Sequence, residues 1–228
     1  MGKAIEEIAT SLGHSISIRI NSQNAAAFNS TSLTDTDVAI EFSNPHSALT
    51  NLYTCIDAGV PVVCGSTGWL DHWADMGKYC NEKNGTVLYA SNFSIGVNIF
   101  FEVNRKLAAF MATRESYDVR IEEIHHTKKL DMPSGTAISL AEQVLEFSKT
   151  KRSWVNHHPQ SKDELEIISR RIDPAPGTHS VKYHSAIDDI EITHTAHSRA
   201  GFANGAVLAA AFLIGKKGIF QMKDVIDL

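Results

Sequence analysis

The stretch TDVAIEFSNPHSALTNLYTCIDAGVPVVCGSTGW, residues 36–69, decides the fold. It holds two apolar, strand-like runs, TDVAIEF and VPVVC, on either side of a segment with helical character. Asn44 is the expected N-cap of this helix, Pro45 its first residue and Gly59 its close. A strand, a helix and a further strand in this order favour parallel strands covered by helices.

Similar units surround this stretch in the first half of the chain. The further helical segments are GKAIEEIATSLG (2–13), expected to end at Gly13, and LDHWADMGKYCNEKNG (70–85). The further strand-like runs are HSISIRI (14–20) and TVLYA (86–90). Repeated units of this size predict an α/β domain with a mainly parallel sheet and helices on both faces, of the Rossmann-like, dinucleotide-binding type.

From about Gly96 the pattern changes, and strands cluster instead of alternating with helices. The helical segments are 97–112 and 135–149, and the strand-like runs are 117–126, 164–172, 179–187 and 188–196. This order predicts a second, α+β domain on a mixed or antiparallel sheet, with a polar surface loop at 149–164. We expect a dinucleotide-binding domain at 1–95, completed by 201–228, and a substrate-binding and oligomerisation domain at 96–200.

Composition excludes several classes of protein. The 228 residues carry a net charge of −5, and no Lys/Arg block is longer than two, so neither nucleic acid nor a membrane surface is an expected partner. The longest apolar run, Gly205 to Gly215, is too short to cross a bilayer and predicts a buried helix. Three cysteines without CxxC spacing favour buried, reduced thiols in a cytoplasmic protein.

The segment IEEIHHTKKLDMPSGTA, residues 121–137, concentrates ionisable groups beside a turn of small residues. In an extended strand, alternation places Glu123 and His125 on the same face as the apolar side chains that precede them, so the strand leaves a core and enters a cleft. Ser134 is the expected N-cap of the next helix, whose first amides belong to Gly135 and Thr136.

That helix start favours an anion site. Unpaired amides at a helix N-terminus bind carboxylate or phosphate, and Lys129 and the two histidines would lie across the loop. A small anion held there can be oriented at one end and protonated at the other. A solvated, charged loop beside a capped helix is the competing interpretation.

Two further kinds of site were weighed. The loops 41–45, 65–69 and 90–94 follow apolar strands at their expected carboxyl ends, where open parallel sheets bind ligands. Among eleven histidines, the pairs His125/His126 and His157/His158 and the spacing His194-x-x-His197 place their rings on opposite strand faces, so no metal site is expected.

The motif EIHHTKKLDMPSGTA resembles the signature of the 4-hydroxy-tetrahydrodipicolinate reductases (dihydrodipicolinate reductases) of the diaminopimelate route to lysine. EFSNP, GSTGW, SNFSIGVN and SRAGFANGAV also resemble family segments in the same order, so the likeness covers nearly the whole chain. The resemblance implies a two-domain cytoplasmic enzyme that uses NADH or NADPH to reduce a cyclic unsaturated dicarboxylate.

The resemblance also implies roles for individual residues. The acid/base pair would be His125 and Lys129, and the substrate-binding residues would be His126, Ser134, Gly135 and Thr136. The cofactor-binding residues would be Gly65, Ser66, Thr67, Ala90, Ser91, Asn92 and Phe93.

Three features depart from the family pattern. Family members begin with a strand and a glycine-rich loop ending in Met-Gly, whereas this chain starts at Met1-Gly2, so that first strand is expected upstream of the sequence given. Asn21-Ser22 stands where many members have a ribose-binding acid, which leaves NADH and NADPH both open. The segment between PGTHSVKYH and DDIEITHTA is shorter than in the longer family members, which places a trimmed hairpin in the region that such enzymes use for subunit contacts. The resemblance as a whole implies a homotetramer.

Two competing functions remain open from the sequence. One is a dehydrogenase for another small carboxylate, because the fold alone does not specify a substrate. The other is a non-catalytic ligand-binding protein that lacks its cofactor loop.

Overall fold

A computed structural model describes residues 1–198 and 200–227, and these residues form two compact units. The first unit holds residues 1–95 and 200–227, and the second holds 96–198. The helices are α1 (Gly2–Ser11), α2 (Pro45–Asp57), α3 (Trp73–Glu82), α4 (Ile95–Met111), α5 (Gly135–Phe147), α6 (Ala200–Leu213) and α7 (Met222–Val225). The strands are β1 (Ala39–Glu41), β2 (Val62–Cys64), β3 (Thr86–Tyr89), β4 (Asp118–His125), β5 (Ser153–Val155), β6 (Glu164–Arg171), β7 (Gly177–His184), β8 (Asp189–Ala196) and β9 (Gly218–Phe220).

The first unit is built on a parallel sheet with the order β1-β2-β3-β9. Its strands are apolar on both faces, and helices cover both: α1, α6 and α7 pack against Val63 and Leu88, while α2 and α3 pack against Val62 and Val87. This arrangement confirms the predicted Rossmann-like α/β class. The expected cap is also present, because the Asn44 side chain accepts hydrogen bonds from the first free amides of α2.

The second unit is built on a mixed sheet with the order β5-β6-β4-β7-β8. β4 pairs parallel with β6 and antiparallel with β7, and β8 completes a hairpin with β7. Helices α4 and α5 cover one face, where the core includes Ile121, Leu140 and Val181. The opposite face carries polar side chains and is exposed or half-buried. The predicted α+β class with a mixed sheet is therefore confirmed.

Some local predictions were wrong. Residues 14–20, predicted as a strand, form neither helix nor strand, because alternation predicts an extended chain but does not supply the hydrogen-bonded neighbour that a strand needs. The predicted loop 149–164 contains the short strand β5, and β9 was not foreseen. Three residues are too few to show a periodic pattern.

Three further points concern the cysteines, membrane-spanning helices and the segment before α6. All three cysteines are free and buried, as expected. Among the described residues, no helix combines the length and apolar character needed to cross a bilayer. The segment SRAGFANGAV, which resembles a family segment, contains Arg199, and this residue lies outside the described residues. Helix α6 begins at the next residue, Ala200.

Candidate active site

The carboxylate of Glu123 lies at the centre of a buried polar cluster near the end of β4, and this residue is 0% exposed. The backbone N–H of Ser134 donates to both carboxylate oxygens, at 3.1 and 3.2 Å. The Ser169 hydroxyl donates to Oε1 at 2.7 Å, and Nη2 of Arg171 lies 3.3 Å from the same oxygen. Three residues from two other segments of the chain therefore meet at the Glu123 carboxylate.

Two histidines complete the cluster. Nδ1 of His125 lies 3.3 Å from Oε2 of Glu123, and Nε2 of His179 lies 3.8 Å from the same oxygen. The sheet explains this arrangement, because His179 pairs directly with Glu123 across β4 and β7, and His125 lies two residues further along the same face. The two imidazole rings meet edge to face with centroids 5.0 Å apart.

Burial and hydrogen bonding set the charges in the cluster. Burial by itself raises the pKa of Glu123, but the hydrogen bonds from His125, Ser134 and Ser169 outweigh it and hold this pKa well below its usual range. Burial, with a smaller contribution from the neighbouring His125, lowers the pKa of His179 to about 3. At neutral pH the cluster therefore contains an ionised Glu123 and a neutral His179.

The loop between β4 and α5 carries Lys129. Its ammonium group contacts both oxygens of Asp131, at 2.7 and 2.8 Å, and its side chain is 23% exposed. Arg171 fixes the backbone of this loop, since it donates to the carbonyls of Lys129 and Asp131. His126, which precedes the turn, is half-buried. The predicted acid/base pair thus lies on two neighbouring segments, a strand end and an anchored loop.

The start of α5 has the predicted cap. The Ser134 hydroxyl accepts a hydrogen bond from the N–H of Ala137 at 3.2 Å and lies 3.2 Å from Nε2 of His179. Ser134 is buried, and both its N–H and its hydroxyl are engaged within the protein, so it holds the helix start in place. Gly135 is exposed, Thr136 is half-buried, and a Cβ at Gly135 would meet no atom within 4 Å.

The predicted cofactor segments meet at one edge of the first sheet. Glu41, Cys64 and Tyr89 are in register across β1, β2 and β3, so the loops that follow these strands emerge side by side. Gly65 allows a close approach, because a Cβ there would lie 2.2 Å from the Phe42 ring. A small residue at this position therefore keeps the three loops together.

The other residues of these loops divide into exposed and buried groups. Thr67 and Ser91 are exposed, and the buried Ser66 hydroxyl has no hydrogen-bond partner among the described residues. Half-buried residues of the third loop hydrogen-bond locally: Ala90 N–H donates to Cys64 and the Asn92 side chain accepts from Ser94. The Phe93 ring is buried 5.3 Å from that of Phe42, so only its backbone can face a ligand.

A metal ion is not needed to explain the buried cluster. One ligand atom from each of Glu123, His125 and His179 lies within 4.8 Å of the others, which is close enough to share a small cation. However, the carboxylate is already paired with Arg171 and accepts hydrogen bonds from Ser134. A further buried positive charge beside a guanidinium is unfavourable, so this donor set suits an ion pair.

Sequence reasoning named Glu123 only as a member of the buried strand face, and it missed four members of the site. These are Ser169, Arg171, Gly177 and His179. Alternation in β7 does place His179 on the same face as buried Val181 and Tyr183, which is a usable signal. The register that brings this histidine opposite Glu123 depends on strand pairing, which no local pattern reveals.

An open parallel sheet with small-residue loops at one edge, and a second unit whose mixed sheet holds a buried cluster of Glu123 and two histidines, are features of a Rossmann-like oxidoreductase. The chain belongs to the dihydrodipicolinate reductase family. The family's N-terminal model matches residues 1–93, and its C-terminal model matches residues 96–226.

Individual relatives agree with this assignment. A 4-hydroxy-tetrahydrodipicolinate reductase of Christiangramia forsetii is 49% identical over 229 residues, which cover 100% of this chain and 94% of the relative. The enzyme of the same name from Ralstonia nicotianae is 37% identical over 205 residues, covering 87% and 77%. The fold resembles a dipicolinate-bound dihydrodipicolinate reductase from Paenisporosarcina sp. TG-14, with a TM-score of 0.71, 24% identity, and coverage of 87% of this chain and 78% of that one.

Proposed function

We propose that this protein reduces 4-hydroxy-tetrahydrodipicolinate to tetrahydrodipicolinate with a reduced nicotinamide nucleotide, and that the 4-hydroxyl group of the substrate leaves as water. Family membership supports this reaction. One structural observation supports the assignment of catalytic and binding roles to particular residues. A buried, hydrogen-bonded strand end with His125, an anchored loop with Lys129 and the capped start of α5 all belong to one short segment and share the Glu123 cluster. Such a segment can orient a small anion and protonate it.

Each group has a definite part in this proposal. His125 and Lys129 form the acid/base pair that supplies a proton to the reduced ring. His126 and the amides of Gly135 and Thr136 hold the substrate carboxylates, because a helix start stabilises negative charge. Ser134 positions the start of α5, because its N–H donates to Glu123 and its hydroxyl accepts from the amide of Ala137.

The loops of the first unit would hold the cofactor, NADPH or NADH. When bound, the nicotinamide nucleotide would deliver a hydride to the substrate ring. The residues present suit this group: the strand ends emerge in register, Gly65 lets the Phe42 ring pack closely so that the loops stay together, and the buried hydroxyl of Ser66 is unpaired among the described residues. Thr67 and the loop from Ala90 to Phe93 line the same edge.

The direct test is a comparison of substrates with the purified protein. Oxidation of NADPH or NADH with 4-hydroxy-tetrahydrodipicolinate, but not with simple 2-oxo acids, would support the proposed reaction over a dehydrogenase for another carboxylate. Failure to bind either nucleotide would instead favour a non-catalytic binding protein.

Substitutions then test the acid/base pair. We expect His125→Ala or Lys129→Ala to reduce kcat by about 10²-fold with the fold intact, as for a lost general acid. Lys128→Ala is the matched control, since this neighbour is exposed. Wild-type turnover in either of the first two variants would remove that residue from its role.

We further propose a cytoplasmic homotetramer. The three free, buried cysteines suit a reducing compartment. The face of the second sheet opposite α4 and α5 is incompletely covered, and Ile187, in the turn between β7 and β8, is 91% exposed. Native mass spectrometry would give the subunit number, and we expect Ile187→Glu to lower it. A monomeric wild-type protein would contradict the proposal.

A further inference from the structure

We propose that Glu123 is a positioning residue for the reaction: it fixes the tautomer of His125, so that Nε2 is the atom that exchanges the proton with the substrate. This inference rests on the proposed role of His125 as proton donor. The Glu123 carboxylate is fully buried, so it cannot contact the substrate and would act through His125.

The two oxygens of Glu123 have different surroundings. Oε1 accepts from the Ser134 amide, the Ser169 hydroxyl and the Arg171 guanidinium. Oε2 shares the same amide but faces the two imidazoles, with Nδ1 of His125 at 3.3 Å. The donors on the first oxygen hold the carboxylate plane, so the second oxygen has a fixed direction.

This direction determines which nitrogen of His125 carries a proton. An ionised carboxylate can only accept hydrogen bonds, and hydrogen bonding keeps Glu123 ionised. Nδ1 of His125 is buried and has no hydrogen-bond partner of ideal geometry among the described residues, which makes Oε2 its available acceptor. In the other tautomer a lone pair on Nδ1 would face the negative charge on Oε2, whereas a proton on Nδ1 can be donated to it, so the proton of the neutral ring resides on Nδ1.

The opposite edge of the ring is kept open. A Cβ at Gly177 would lie 3.1 Å from Nε2 of His125, so the glycine leaves space at this atom. The neutral ring then has a free lone pair at Nε2, and the protonated ring has an N–H there to donate. Nε2 is therefore the ring atom that gives up or takes up the exchanged proton.

A purely structural role is the competing explanation. In that case Glu123 would only tie the start of α5 to β4 and β6 through Ser134 and Arg171, and its loss would reduce stability without changing His125. The two explanations differ in one observable, the position of the proton on the imidazole.

The substitution Glu123→Gln separates them. The three donors at Oε1 require the amide oxygen at that position, so the amide NH₂ replaces Oε2 and donates toward Nδ1 of His125. Nδ1 must then accept, and the ring proton moves to Nε2. We expect kcat to fall by about 10²-fold, with KM for the nucleotide unchanged.

The tautomer is measured by ¹⁵N NMR of histidine-labelled full-length protein, at a pH where the ring is neutral, with His125 assigned by substitution. We expect Nδ1–H in the wild type and Nε2–H in Glu123→Gln. The control is Glu122→Gln, because this neighbour lies on the other strand face and pairs with exposed Arg170. It should preserve both the tautomer and kcat.

Clear outcomes would overturn the inference. An Nε2–H tautomer in the wild type contradicts it even if Glu123→Gln does not fold, and so does a folded Glu123→Gln that keeps Nδ1–H and wild-type kcat. The spectrum needs no substrate, so failure of the proposed reaction is recognised separately: a protein without reductase activity that still shows the tautomer switch refutes the reaction and leaves the orientation of His125 intact.

Discussion

Gly177→Ala should reduce activity by displacing His125. Gly177 begins β7, and an added Cβ would lie 3.1 Å from Nε2 and 3.3 Å from Cδ2 of His125. Both distances are shorter than ordinary van der Waals contact, which starts at 3.4 Å, so the ring must move by a few tenths of an ångström. The imidazole cannot move toward Glu123, because that side is already packed.

The size of the effect follows from this displacement. A misplacement of about 1 Å costs about 10²-fold in rate, so a few tenths of an ångström should lower kcat/KM by about 3- to 10-fold. The backbone adds a separate effect on stability: Gly177 has φ +155°, and an alanine there is strained by about 1 kcal/mol. Activity and stability must therefore be measured independently.

The assay compares Gly177→Ala with Gly218→Ala. Gly218 also begins a strand at positive φ, +113°, but a Cβ there meets no atom within 4 Å. Both variants should lose similar stability in urea, and only Gly177→Ala should lose kcat/KM. Equal activity losses in the two variants, or full activity in Gly177→Ala, would refute the argument that room at Nε2 of His125 is needed.

Two further predictions concern packing and pH. Gly205→Ala should destabilise the first unit by about 3 kcal/mol or more in urea, because the new Cβ would lie 1.7 Å from the carbonyl oxygen of Phe93. The control is Gly201→Ala in the same helix, where the nearest atom would be 3.7 Å away and the change should be neutral or slightly stabilising. Equal effects of the two substitutions would contradict this prediction. The pKa of His179 is lowered from 6.5 to about 3, mainly by burial. Between these pH values the unfolded chain therefore binds a proton that the folded chain does not. The free energy of unfolding should then fall as the pH falls, by up to about 1.4 kcal/mol per pH unit. His179→Gln should flatten this slope in urea titrations and the exposed His14→Gln should not; an unchanged slope in His179→Gln would show that this histidine is not held neutral.

Local patterns predicted the features whose causes are local. The Asn44 cap depends on a side chain and the amides two and three residues later, and the face of β4 that holds Glu123 and His125 follows from alternation alone. Both were predictable from the sequence. The segment 14–20 failed for the converse reason, because a strand requires a partner that alternation does not specify.

The buried Glu123 cluster was only partly predictable for a similar reason. His179, Ser169 and Arg171 reach Glu123 because β7 and β6 pair with β4 in one particular register. A shift of one residue would turn His179 to the opposite face of the sheet. The ionisable segment 121–137 and the resemblance to known reductases supplied His125 and Lys129, whereas the contacts of Glu123 with His179, Ser169 and Arg171 depend on the pairing of the strands.

We propose that His125 protonates the ring of a cyclic dicarboxylate as a reduced nicotinamide is oxidised. Single-turnover oxidation of enzyme-bound NADPH or NADH, started by adding 4-hydroxy-tetrahydrodipicolinate to the wild type and to His125→Ala, measures this step directly. We predict one nucleotide oxidised per subunit in the wild type and a rate about 10²-fold lower in the variant. Equal rates in the two proteins, or no oxidation in the wild type, would contradict the account.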